Sequence, residues 1–114
     1  MASKLVPIKN QGYVFRCVLF AQSDNQIKSN PTLSAGDVKC SVDGAALADL
    51  TTLPDVDPDG TIQVKVTLSS TEMNGDEILV VFKDASGAEW HSVCFVLHTV
   101  AAGYDSLSTL TTAQ

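Results

Sequence analysis

The stretch "TIQVKVTL", residues 61–68, alternates apolar and polar side chains without a break. A period of two belongs to a β-strand with one face buried and the other wet. The alternation predicts Ile62, Val64, Val66 and Leu68 pointing inward, with Gln63, Lys65 and Thr67 outward. A helix would scatter the same residues around its circumference, so this stretch commits its surroundings to a sheet.

The same reading extends along the chain. "YVFRCVLFAQ" (13–22) is β-branched and aromatic, with Tyr13, Phe15, Cys17 and Leu19 on one face and Val14, Arg16, Val18 and Phe20 on the other. Both faces are largely apolar, which predicts a strand buried on both sides or meeting a partner. "DVKCSVDG" sends Val38, Cys40 and Val42 inward and Lys39 and Ser41 outward, and ends on Asp43-Gly44, a hairpin-turn dipeptide. "AALADLTTLP" reads as a short strand or an extended segment packing Leu47, Leu50 and Leu53. In "SSTEMNGDE" Ser69 and Glu72 have capping-box spacing, which predicts one helical turn ending near Gly75. "EILVVFKD" reads as a buried strand, "ASG" as a tight turn, and "AEWHSVCFVLHTV" as the returning strand. There Val93, Phe95 and Leu97 share one face, and Trp90, Cys94 and Val96 the other.

About seven short strands with frequent turn signals and no long helical period predict an all-β chain. The expected fold is an immunoglobulin-like β-sandwich with one short helical turn, with a jelly roll as the alternative. The expected organisation is an N-terminal arm over 1–11, a sandwich over 12–101, and a C-terminal arm or tail over 102–114. The chain has 114 residues, of which 45% are hydrophobic and 18% charged, enough to build one core.

Composition also narrows function. The formal charge of −6 and the pI of about 4.5 argue against a nucleic-acid face, which needs clustered Lys and Arg. Here the basic residues are scattered and Arg16 is the only arginine. No apolar run is long enough to span a membrane. The opening "MASKLVPIKNQGY" has no apolar stretch behind its lysines, which predicts no secretory leader and synthesis in a cytoplasm. Cys17, Cys40 and Cys94 have no CxxC or CxxH spacing and sit in strand-like runs. They are expected as free, mostly buried thiols, with an intermolecular disulfide as the alternative.

One acidic stretch demands a decision. "LPDVDPDGT" (53–61) places Asp55, Asp57 and Asp59 at alternate positions before Gly60, as a calcium-binding loop begins. Counting from Asp55, however, the twelfth position that should supply a bidentate Glu is Val66, a core residue of the best-patterned strand. Pro58 restricts the backbone, and no helices flank the loop. The expected reading is an Asp/Pro/Gly turn, with a looser cation site from the three aspartates as the weaker candidate. His91 and His98 fall on opposite faces of one strand. Cys94 and His98 share a face but stand roughly 13 Å apart, so no zinc site is expected. No GxSxG elbow, glycine-rich phosphate loop or HExxH is present, and neither enzymatic chemistry nor a cofactor is expected. Trp90 reads as a core or rim anchor rather than a sugar-stacking platform, since only 6% of residues are aromatic.

"NPTLSAGDVKCSVDGAALADLTTLPDV" followed by "VKVTLSSTEMNGDEILVVFKDASGAEWHSV" resembles a pattern of small structural proteins of tailed bacteriophages. That pattern has an "AGDVKVSxDGGA" hairpin, an "LP", an "LSATEM" turn and a "DAAGAEW" hairpin. Here these stand at Ala35 to Ala45, Leu53-Pro54, Leu68 to Met73 and Asp84 to Trp90, over roughly the middle three-fifths of the chain. This chain departs from it in having Ala45 where a second Gly is usual, and in placing Cys40 and Cys94 in strands. The resemblance implies a β-sandwich component of the virion, multi-copy or homo-oligomeric, assembled in the bacterial host, and carries no catalytic residues. A capsid decoration (cement) protein on the outside of the head is expected. A tail, collar or baseplate adaptor or fibre component is an alternative, and a host-surface glycan-binding module using Trp90 and the acidic loop is another. For a decoration protein, Lys4, Leu5 and Val6 at one end and Tyr104, Leu107 and Leu110 at the other are the expected interface residues.

Overall fold

A computed structural model of the chain describes residues 6–84 and 87–101. Among the described residues are seven strands: β1 (Tyr13–Cys17), β2 (Val38–Val42), β3 (Ala48–Asp49), β4 (Asp55–Val56), β5 (Val64–Leu68), β6 (Glu77–Phe82) and β7 (Val93–His98). They form two antiparallel sheets, ordered β1-β5-β4 and β3-β2-β6-β7. With β1 taken as strand B, these are the B-E-D and C′-C-F-G orders of the immunoglobulin sandwich. The jelly-roll alternative does not have this order.

The core lies between the sheets because the inward sets of both are apolar. Val64, Val66 and Leu68 of β5 face Ile78, Val80 and Phe82 of β6, all essentially without exposure. A run of tilted and edge-on rings crosses from sheet to sheet. Phe15 of β1 meets Phe95 of β7 at 5.6 Å, Phe95 meets Phe82 at 5.8 Å, and Phe82 meets Trp90 at 6.2 Å. The Phe15–Phe95 contact sets β1 over β7, so these two sheet edges lie on the same side of the sandwich.

Local signals formed as their chemistry requires. Asp43 and Gly44 both have positive φ, 52° and 80°, and the Ala45 N–H donates to the Val42 carbonyl at 3.0 Å. That is the left-handed turn an Asp-Gly dipeptide favours, set at the start of the connection from β2 to β3. The Ser69/Glu72 pair closes reciprocally: Ser69 N–H donates to Glu72 Oε1 at 2.8 Å, and Glu72 N–H to Ser69 Oγ at 3.2 Å. The Met73 N–H donates to the Ser69 carbonyl at 3.0 Å, the bond of the single helical turn expected before Gly75; the turn is not continued, and the described residues contain no helix. The turn drives Met73 wholly into the core.

Several expectations are corrected. The stretch 13–22 is not covered on both faces, since Val14 in β1 and Phe20 beyond it are 49% and 46% exposed. Ile62 is exposed because β5 starts two residues later, at Val64. Ser41, predicted outward, is buried and its hydroxyl donates to the Ala45 carbonyl at 2.6 Å. Of the three leucines in 45–54, only Leu50 is buried; Leu47 and Leu53 face solvent. β7 begins at Val93 rather than Ala88. Trp90 instead forms an isolated bridge to Ala21, crossing towards the other sheet.

The lead-in is partly docked. Ile8 is buried and pairs in parallel with Val100, the Val100 N–H donating to the Pro7 carbonyl and the Lys9 N–H to the Val100 carbonyl.

Candidate functional site

The acidic stretch is held by cations of the protein itself. Arg16, on the exposed face of β1, donates from Nη2 to Asp57 Oδ2 at 3.2 Å and from Nη1 to the Asp57 carbonyl. Lys65 Nζ stands 3.9 Å from the same carboxylate oxygen. Asp55 lies on β4 opposite Lys65, and Asp59 is exposed beyond the cis Asp57-Pro58 bond. Among the described residues no three His, Cys, Asp or Glu side chains gather as a cation requires. The stretch therefore fastens β4 to β5 and β1, and Gly60, with φ +78°, closes it.

Two of the three cysteines are screened. All three are free; Cys40 is buried and Cys17 half-buried, as expected for most of the thiols, and Cys94, exposed on the outer face of β7, is the exception. Burial pushes the Cys17 thiol up to about 11 from an ordinary 9.0. Cys40 is raised by burial first and then by the Glu72 charge. A thiol whose folded pKa is raised stabilises fully below its unfolded value and loses that contribution as pH climbs through the folded one. Stability should therefore fall from about pH 9 towards 11. In the native protein a thiol reagent should modify Cys94 first, the half-buried and less acidic Cys17 more slowly, and Cys40 only on unfolding. Mass spectrometry of the labelled native protein checks it, and rapid labelling of Cys40 would contradict it.

The histidines do not converge. His91 Nε2 lies 2.7 Å from Asn25 Oδ1, while His98 is exposed at the far end of β7. Trp90 is fully buried and its indole N–H donates to the Thr32 carbonyl at 3.1 Å. Its ring is thus out of reach of a sugar. Of the expected interface residues, Val6 is half-buried at a bend. Lys4, Leu5, Tyr104, Leu107 and Leu110 lie outside the described residues.

What the structure does bring together is one lateral side of the sandwich. The opposite side ends in β3 and β4, two residues each, carrying Asp49 paired to Lys39 at 2.7 Å and Asp55 facing Lys65. Short, charged edges of that kind resist pairing with another chain. This side ends in β1 and β7, five and six residues long. Between them opens a cleft of about 610 Å³, lined chiefly by Cys17, Val18, Leu19, Phe20, Val93 and Phe95, with Arg16, Asn25 and His91 at its margin. Its two walls come from segments some seventy residues apart in sequence. The only forewarning is apolar side chains at wet positions: Val14, Phe20, Val93 and Val96.

No family model, no curated protein and no solved structure matches this chain.

Proposed function

We propose that the protein is a non-enzymatic structural component of a bacteriophage particle, a decoration protein bound to the outside of the head. The observation that carries this reading is the lopsided sandwich. One side is blunted by short acidic edges, and the other presents two long strand edges around an apolar cleft. A protein that works alone hides such edges, whereas a protein that works in an assembly has a use for them. The resemblance to phage structural proteins supplies the kind of assembly, and its motifs coincide with working joints of this fold. They are the Asp43-Gly44 hairpin, the turn capped by Ser69 and Glu72, and the connection that carries Trp90. A tail, collar or baseplate adaptor would share all of this, and copy number separates the two.

The arms at 1–11 and 102–114 would add contact area across neighbouring subunits. Deleting residues 103–114 should abolish binding to particles while the remaining domain melts as before. Undiminished binding by the shortened chain would overturn the arm's role. A gel of purified particles should show a copy number comparable to that of the shell protein; only a few copies per particle would place the protein in the tail.

A further inference from the structure

The backbone of β7 has a defined outward pattern. The Thr99 N–H donates to the Asp76 carbonyl at 3.0 Å, continuing the β6–β7 register in which Glu77 stands opposite His98. In an antiparallel ladder bonded and non-bonded pairs alternate, so Leu97, Phe95 and Val93 bond to β6. The N–H and C=O groups of His98, Val96 and Cys94 therefore point away from the sheet. Val100, next in that series, is already engaged by Pro7 and Lys9. Pro7 has no N–H to give the His98 carbonyl, so among the described residues the 7–9 pairing is not carried on to His98. At the other end the chain leaves the sheet after Val93, as the His91 N–H turns to the Phe20 carbonyl. Among the described residues nothing pairs with the window between, Cys94 to His98.

We infer that this window is a homodimer interface, in which β7 pairs antiparallel with β7 of a second copy about a twofold axis through Val96. A window with three outward residues is self-complementary in that arrangement. Val96 exchanges both bonds with the partner's Val96, and Cys94 and His98 exchange theirs with the partner's His98 and the partner's Cys94. All six outward N–H groups of the two strands then have acceptors. The Val96 side chain, 48% exposed, gains an apolar neighbour across the axis. Strand 93–98 carries no carboxylate although the chain has a net charge of −6, so two copies meet where the like charge is absent. The result is a continuous eight-stranded sheet, an isologous contact of the commonest kind. It stands whether or not the protein belongs to a virion.

Sedimentation velocity of the full chain over a concentration series tests it. Wild type should dimerise reversibly. Val96→Pro removes a donor that β6 does not use, so it should be monomeric with a cooperative melt close to wild type. Val96→Lys sets two like charges across the axis and should weaken the dimer roughly tenfold, without touching the backbone. Val96→Cys places two thiols on a bonded pair about 5.5 Å apart between Cα atoms, within disulfide range, and should yield a linked dimer on a non-reducing gel. The native Cys94 pair, about 13 Å apart across the axis, should yield none. A wild type that stays monomeric at its solubility limit overturns the proposal. So does dimerisation that survives both Val96→Pro and Val96→Lys, or a dimer linked through Cys94 itself.

Discussion

Replacing Trp90 with alanine should come close to unfolding the protein. Trp90 is the largest fully buried side chain, packs edge-on against Phe82 at 6.2 Å, and bonds the Thr32 carbonyl. Removing it leaves a void and an acceptor without its donor, a loss of about 3–5 kcal/mol. Domains of this size are stable by only about 5–15 kcal/mol, so little of that margin would remain. The melting temperature should drop on the order of 15–25 °C, or the variant should fail to fold. Trp90→Phe separates the two contributions: it keeps a ring against Phe82 and loses the donor, and should cost about 1–2 kcal/mol. Thermal melts followed by circular dichroism measure both. A mild effect of the alanine variant would mean that Trp90 is not the pin between the Ala21 bridge and the β6–β7 sheet. It would also restore the ring as a surface feature.

Trp90 illustrates how much of this molecule was legible in its sequence. Its role as an anchor follows from a lone large aromatic at the head of an apolar run, but its direction does not. The sequence pattern places it on β7, and the structure places it before β7, in an isolated bridge to Ala21 beyond the end of β1. Local chemistry was the readable part. The Asp43-Gly44 turn, the reciprocal Ser69–Glu72 bonds and the inward Val64, Val66 and Leu68 each depend on residues within a few positions. Ile62 misled because its alternation with Val64 continues past the start of the strand. Thr61 and Pro58 there make a turn of their own, with the Thr61 N–H and hydroxyl both donating to the Pro58 carbonyl.

The candidate site was the unreadable part, for a related reason. A strand with two apolar faces, such as 13–17, looks alike in sequence whether it is buried in the middle of a sheet or stands at an edge with an empty cleft beside it. Only pairing decides, and pairing here is long-range: β1 joins β5 some fifty residues on. In the acidic stretch the core position of Val66 could be read in advance, because that argument was local. Val66 belongs to the core, so the loop lacks its closing ligand. That Arg16 would occupy Asp57 instead could not be read from spacing, since 41 residues separate them.

Glu72→Ala is the second substitution expected to have a large effect, and its size comes from hydrogen bonding rather than volume. The carboxylate is 8% exposed and bridges two segments, accepting from Ser69 N–H through Oε1 and from Thr51 N–H through Oε2, both at 2.8 Å. Alanine leaves both donors unpaired in a partly buried setting, each at about 1–3 kcal/mol, so a total loss of about 2–6 kcal/mol is expected. Glu72→Gln should cost less, because the amide keeps one acceptor, and its remaining cost is the NH2 set against the other N–H donor. The charge adds a second readout. Glu72 is the lesser of the two causes that raise the Cys40 thiol, so neutralising it should bring that thiol part-way back towards 9.0 while burial still holds it up. The loss of stability above pH 9 should accordingly be shallower in Glu72→Gln than in wild type, even though the variant is less stable at neutral pH. Denaturant melts at neutral and alkaline pH would show the two curves converging as pH rises. A parallel offset at every pH would mean that the Glu72 charge does not reach Cys40, and that the carboxylate serves only to tie the capped turn to residue 51.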